Sequence, residues 1–290
     1  MGHLFFYGKI LENYIEDYNQ LEKKKNLTGD VALAAIKEDI DNIFYIKEFN
    51  DEISVQIVKI NGLYLKYLPR QTKQICSIAV AQNYKALQFV WEQDEDTCIC
   101  ALKDDWKAIH YVREQTKKIV DEAVRQSWEA LPFIIKPSKA NYIEAMRQAV
   151  AAIAHIPEPN EEMCLLAVER DGLALRYING RYQNKKICLA AIRQNPESLK
   201  YAKSQTEEMC IESVKQNGLN LRFVIKQTEK ICEYAIQQRP DALQFVFKQT
   251  DKLCAKAVHL DPQTIVLVRK QTKEIAMEAV MQDIELLQFV

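Results

Sequence analysis

An all-α solenoid is the fold class this sequence predicts, and three observations carry the prediction. A 22-residue unit recurs about twelve times from Thr28 to the end of the 290-residue chain; every copy opens on Thr, Ser, Asn or Asp; and Gly and Pro are scarce, at 7 and 8 residues. A fixed period of this length marks an array of small supersecondary units, each of which buries its apolar face only against its neighbours. The clearest copies are Thr72–Gln93, Thr206–Gln227 and Thr228–Gln249.

Residues 1–27 come first. Leu4, Tyr7, Leu11, Tyr14, Ile15 and Tyr18 fall at helical spacing there, so the segment reads as an N-terminal capping helix. In the repeat, numbered from its opening residue, position 1 is the N-cap of a helix of about eleven residues. Its side-chain oxygen accepts from an N–H that the helix leaves without a partner, worth about 1 kcal/mol per cap. Apolar residues at positions 4, 5, 8 and 9, as in Ile231, Cys232, Ala235 and Ile236, form one buried stripe. Positions 12 and 13 then read as a stop and restart, as in Asn61-Gly62, Asn217-Gly218 and Asp261-Pro262. Glycine there suggests a left-handed C-cap, and proline the first position of a second helix capped by the preceding Asn or Asp. That second helix, of about two turns, carries Leu or Ile at position 16 in every copy and usually Tyr or Phe at position 18. Ala at positions 8 and often 15 lets the two helices approach closely. Gln at position 22 is either a polar linker or one rung of a hydrogen-bonded ladder.

Regularity fails once. The copy from Ser138 to Pro159 lacks the cysteine and closes on Ile156-Pro157-Glu158-Pro159, and the next copy has two extra residues near Asn179–Gln183. These features predict a seam near 156–183 dividing a continuous array into residues 28–159 and 160–290. At the other end the final copy stops at Phe289-Val290 with apolar residues that a further repeat would cover, which predicts a fragment of a longer array or end-to-end self-association.

Composition narrows the function classes. With 39 Lys and Arg against 40 Asp and Glu, the chain has no global charge to draw it to nucleic acid or anionic membrane. No apolar run is long enough to span a bilayer, and the N-terminus has neither the basic nor the apolar region of a secretory signal. Phe6 stands where an N-myristoylation signal carries a small hydroxyl residue. Seven of the eight cysteines, Cys76, Cys98, Cys164, Cys188, Cys210, Cys232 and Cys254, share position 5. Packed helices stand about 8–10 Å apart, beyond the ~7 Å limit for bridging Cα atoms, so the column reads as free buried thiols in a reducing, cytoplasmic setting.

Nothing in the sequence reads as catalytic, metal-binding or cofactor-binding. The four histidines occupy different repeat positions, Cys98 and Cys100 lack the spacing of zinc sites, and there is no glycine-rich phosphate loop, nucleophile elbow or carboxylate pair. One pattern stands out. Position 10 is basic in seven copies, Lys37, Lys59, Lys103, Arg125, Arg147, Arg193 and Lys215, and such a line suits a nucleic-acid backbone. Glu169, Gln237, His259 and Met281 interrupt it.

The phrases Gln-Thr-x-x-Ile-Cys at 71–76, Ala-Val-x-Gln-Asn at 79–83 and Ala-Leu-Gln-Phe-Val at 86–90 resemble the helical repeats of domain-of-unknown-function family 4116. The resemblance covers the chain from about Thr28. It implies a solenoid and an intracellular setting, and assigns no catalytic residue. The sequence therefore leads to the expectation of a non-catalytic scaffold for a protein partner, with a nucleic-acid-binding array as the alternative.

Overall fold

Capping residues and apolar stripes do set the elements. The computed structural model describes residues 27–47 and 49–290; of the helix expected over 1–27, residues 1–26 lie outside the described residues. Twelve ten-residue α-helices are described: α1 (Gly29–Glu38), α2 (Asp51–Ile60), α3 (Lys73–Gln82), α4 (Glu95–Asp104), α5 (Lys117–Gln126), α6 (Lys139–Gln148), α7 (Glu161–Arg170), α8 (Lys185–Gln194), α9 (Glu207–Gln216), α10 (Glu229–Gln238), α11 (Asp251–Leu260) and α12 (Lys273–Gln282). Each is followed by a six-residue 3-10 helix, and the two-residue insertion adds a short 3-10 turn at Gly180–Tyr182.

Position 1 caps as expected in eleven of the twelve copies, its side chain accepting from the N–H of position 4; Asp94 to Thr97 at 2.7 Å and Asn50 to Ile53 at 2.8 Å are the shortest. Thr28 does not cap, and it is followed by Gly29 at φ 55°. Position 12 serves twice. It ends the α-helix in extended conformation, and its Asn, Asp or Ser side chain accepts from the N–H of position 14 to start the 3-10 helix, as Asn217 does for Leu219 at 3.1 Å. Ala149 and Arg239 occupy this position without such a bond.

The second helix has the expected two turns but is wound as 3-10 throughout. Six residues between two extended positions form more bonds to the third residue back than to the fourth, as in Val246 N–H to Leu243 carbonyl at 3.1 Å. The expected left-handed C-caps are absent. Gly29 is the only glycine with positive φ among the described residues, and Gly62, Gly172 and Gly218 are instead places of close approach, where a Cβ would overlap the carbonyl oxygen of Ala79, Ala191 or Ala235 in the next repeat. A glutamine of that next helix seals each site: Gly172 N–H donates to Gln194 Oε1 at 2.6 Å.

The described residues divide into two compact units, one ending at Glu144 and one beginning at Ala145. Within each, extensive packing joins only elements of the same or successive repeats, the pattern of a solenoid. Positions 4, 5, 8 and 9 are buried as expected, along with 15 and 16: Ala235, Ile236, Ala242 and Leu243 have no exposed surface. Position 19 belongs to the core as well, with Val90 and Val246 fully buried and Leu68 and Val224 at 2 % exposure.

Position 22 is a ladder. Gln71 Nε2 donates to the Phe89 carbonyl at 3.0 Å while its Oε1 accepts from Trp91 N–H at 3.0 Å, and Gln93, Gln205, Gln227 and Gln249 repeat the arrangement one period on. The same amides also donate into their own repeat, Gln93 to the Leu87 carbonyl at 2.9 Å. In the insertion copy Gln183 still accepts from Lys203 N–H at 2.9 Å, but its donor turns to Ile178. Arg181 and Tyr182, within the insertion, both donate to the Pro157 carbonyl, at 3.1 and 3.0 Å.

Candidate interaction surface

Three kinds of side chain face outward in register, and each follows from the repeat. The first is position 10, near the end of each α-helix, where Lys37, Lys59, Lys103, Arg125, Arg147, Arg193 and Lys215 are all exposed. Acids at position 7 answer several of them. Arg125 is paired with Glu122 at 2.6 Å, holding that carboxyl below its ordinary range. Arg193 lies 3.9 Å from Glu212 of the next repeat, and in the same register His259 lies 2.9 Å from Glu278 and Lys215 lies 4.4 Å from the Tyr234 ring centroid. Helix α7 brings Arg170 onto the carbonyl of Arg147 at 2.6 Å. The basic residues are thus on the surface in two units, interleaved with carboxylates.

Positions 2 and 3 are charged alternately and link successive repeats: Lys73 to Asp96 at 2.7 Å, Lys118 to Glu95 at 2.8 Å, Lys186 to Glu161 at 2.8 Å, and Lys185 to Glu208. Exposed pairs of this kind add little stability. Their effect is to make this edge polar and neutral.

The third is the loop edge built from positions 20 to 22 and the following caps. One groove of 510 Å³ there is lined by Thr72, Lys73, Cys76, Trp91, Glu92 and Gln93 of one repeat, with Gln71 closing the repeat before and Asp94 opening the repeat after. Another, of 430 Å³, is lined at the same repeat positions by Gln205, Thr206, Glu207 and Cys210, with Ile225, Lys226 and Thr228. Position 20 supplies an exposed apolar side chain to each, Trp91 at 57 % and Ile225 at 66 %; Ile135 and Phe247 occupy the same position elsewhere. Where position 20 is arginine, its guanidinium folds back onto the preceding position 20: Arg113 donates to the Trp91 carbonyl at 2.8 Å and Arg269 to the Phe247 carbonyl at 3.0 Å. The alternation of exposed apolar residues at position 20 was legible in the sequence and was missed beside the more regular core positions.

The cysteine column is free and lies against the glutamine ladder. Cys76, Cys210 and Cys232 each bring Sγ to 3.7 Å from the Oε1 of Gln71, Gln205 and Gln227. Burial, with smaller contributions from nearby carboxylates, pushes the thiols of Cys76, Cys98, Cys210 and Cys232 up to about 11, so at neutral pH they are weak donors with little thiolate character. No group of three or more metal-ligating side chains occurs among the described residues, and no described helix is long and apolar enough to cross a membrane.

An array of paired short helices, neutral in charge, with a groove at the same repeat positions in each unit, defines a helical-repeat protein. In agreement, residues 160–205 match the family described as Domain of unknown function (DUF4116). No curated protein and no solved structure matches the chain.

Proposed function

We propose that this chain is a non-catalytic, cytoplasmic interaction array that holds a protein partner along its loop edge. The observation that carries the reading is the recurrence of one groove in both units, at the same repeat positions and each with an exposed apolar residue beside polar caps. Grooves of mixed lining with a protruding Trp or Ile provide the apolar anchor and polar rim that protein interfaces use. The free thiol column supports a reducing compartment, in the cell that makes the protein or in a host. The alternative, nucleic acid along position 10, is weakened by Glu122, Glu212 and Glu278 beside that line.

Affinity capture from source-cell lysate, with and without nuclease and with a salt step, tests the reading when run beside a Trp91→Ala, Ile225→Ala, Phe247→Ala variant. A defined protein that survives nuclease and is lost by the variant is expected. No protein recovered, or one retained equally by the variant, contradicts it.

A further inference from the structure

The 3-10 helices carry a second surface, independent of the loop edge. In the N-terminal unit the ring or cation at position 17 of one repeat lies against the position-18 ring of the next. Phe44 meets Tyr67 at 5.7 Å, Lys66 Nζ stands 5.9 Å from the Phe89 centroid, and His110 meets Phe133 at 4.1 Å. Position 13 joins the same row, with Tyr84 6.2 Å from Tyr111 and Trp106 stacked at 6.1 Å and 28° on Phe133. The result is a row of three ring clusters, Phe44 with Tyr64 and Tyr67, Tyr84 with Tyr111, and Trp106 with His110 and Phe133, spread over five successive repeats.

Cations are interleaved with the rings. Lys66 lies 4.5 Å over Tyr67, and Lys85 and Lys107 each lie 6.0 Å over Tyr84 and Trp106. The three 3-10 helices from Gly62 to Tyr111 hold Lys66, Lys85, Lys107 and His110 and no Asp or Glu, in a chain whose acids otherwise slightly outnumber its bases. Lys66, Lys85, Lys107 and His110 are exposed, and Tyr67, Phe89, Trp106 and Tyr111 are half-buried, each keeping part of its ring surface toward solvent. The C-terminal unit repeats the pairing of cation with ring at Arg176 and Tyr177 and at Arg222 and Phe223; Glu197 and Asp241 stand in adjacent 3-10 helices there, as Asp41 and Glu129 do on either side of the N-terminal three, but only in the C-terminal unit does such an acid reach one of these cations, Arg222 lying 3.9 Å from Glu197.

We infer that the strip from Phe44 to Phe133 binds single-stranded nucleic acid. Each of the three middle repeats presents a lysine and two rings, which suits a polymer that has one anion and one flat π face per unit. Nucleotides have both, the phosphate for the lysine and the base for the ring. An acidic peptide supplies the anions without the flat groups, and duplex DNA hides its base faces, so neither uses the rings.

The test measures fluorescence anisotropy of labelled dT20 and U20 oligonucleotides with the full chain across a salt series. Both oligonucleotides are expected to bind, with affinity falling steeply as salt rises. A Lys66→Glu, Lys85→Glu, Lys107→Glu variant, altered only at exposed side chains, is expected to weaken binding more than 10-fold and to flatten the log–log salt slope by about 2, at roughly 0.7 per single-strand contact. Trp106→Ala is expected to lose about 5- to 100-fold and Trp106→Phe to lose less, because it keeps a ring. Variants at Lys103 and Arg125 should bind like the wild type. Absence of binding at 50 mM salt, binding unchanged in the triple lysine variant, loss on changing Lys103 and Arg125 instead, or displacement by polyglutamate as efficient as by unlabelled dT20 would each overturn the assignment.

Discussion

In the first described repeat the main-chain N–H of Leu27 donates to the Tyr45 carbonyl at 3.2 Å, and its carbonyl accepts from Lys47 N–H at 3.2 Å. In the repeat that opens at Thr228, the side-chain amide of Gln227 donates to the Phe245 carbonyl at 2.8 Å and accepts from Phe247 N–H at 2.9 Å. Tyr45 and Phe245 are both position 18, Lys47 and Phe247 both position 20, and Leu27 and Gln227 both immediately precede a cap. The two amides therefore meet the same two groups, one as a bridge between main chains and the other as a side-chain copy of that bridge. The array needs an amide at this point, and it does not need a strand. Using glutamine brings a gain in reach, because Gln227 also donates to the Leu221 carbonyl of its own repeat at 3.4 Å and takes the Cys232 thiol at 3.7 Å, so that one side chain ties two successive repeats.

The comparison can be broken most severely at the donor. Gln227→Glu turns a carboxylate toward two carbonyl oxygens and is expected to cost about 3 kcal/mol in urea denaturation. Gln227→Met keeps the length but strands the partners, and about 1–2 kcal/mol is expected. Leu27→Ala, in contrast, leaves both main-chain bonds in place, so its effect should be confined to the packing of one side chain that is 8 % exposed. The thiols sharpen the comparison further, since only the side-chain version accepts one. Their folded pKa values lie above an ordinary 9.0, at about 11 for Cys232, so their contribution is fully present below pH 9 and is lost as pH rises from 9 to 11. Cys232→Ala should flatten part of that loss in a pH series of denaturation curves, while leaving the ladder intact at pH 7. Smallest of all, Lys252→Ala removes a fully exposed cation paired with Glu229 and Glu233, and no change in melting temperature outside measurement error is expected.

Much of this was legible in the sequence, for reasons that differ from residue to residue. Thr228, Ile231, Cys232, Ala235 and Leu243 announce caps and core because the period aligns twelve copies of one physical choice. Val246 at position 19 was equally readable, but the more conspicuous Leu at 16 and ring at 18 drew the reading away from it. Gly218 was misread as a left-handed cap, since what selects glycine there is the carbonyl of Ala235 seventeen residues later, a contact across repeats with no local signature. The winding of the second helix was hidden for a similar reason: six residues of one amphipathic pattern fit two turns of either helix, and only the extended residues on both sides decide. At the surface, the basic residues of position 10 were visible, whereas the acids answering them sit at position 7 of the same helix, as Glu122 does, or of the following one, as Glu212 does. The aromatic strip was visible only as isolated rings until stacking placed position 17 beside position 18 of the next repeat.

Hydrogen exchange at the Phe247 amide tests the central claim most directly. Phe247 is 63 % exposed, and its N–H has only the Gln227 side chain for a partner. The account predicts a protected amide in the wild-type protein that exchanges at close to the unprotected rate in Gln227→Ala, with the Ile225 amide, held by Gln205, still slow. A Phe247 amide that exchanges freely in the wild type, or one that stays equally protected without Gln227, would contradict it.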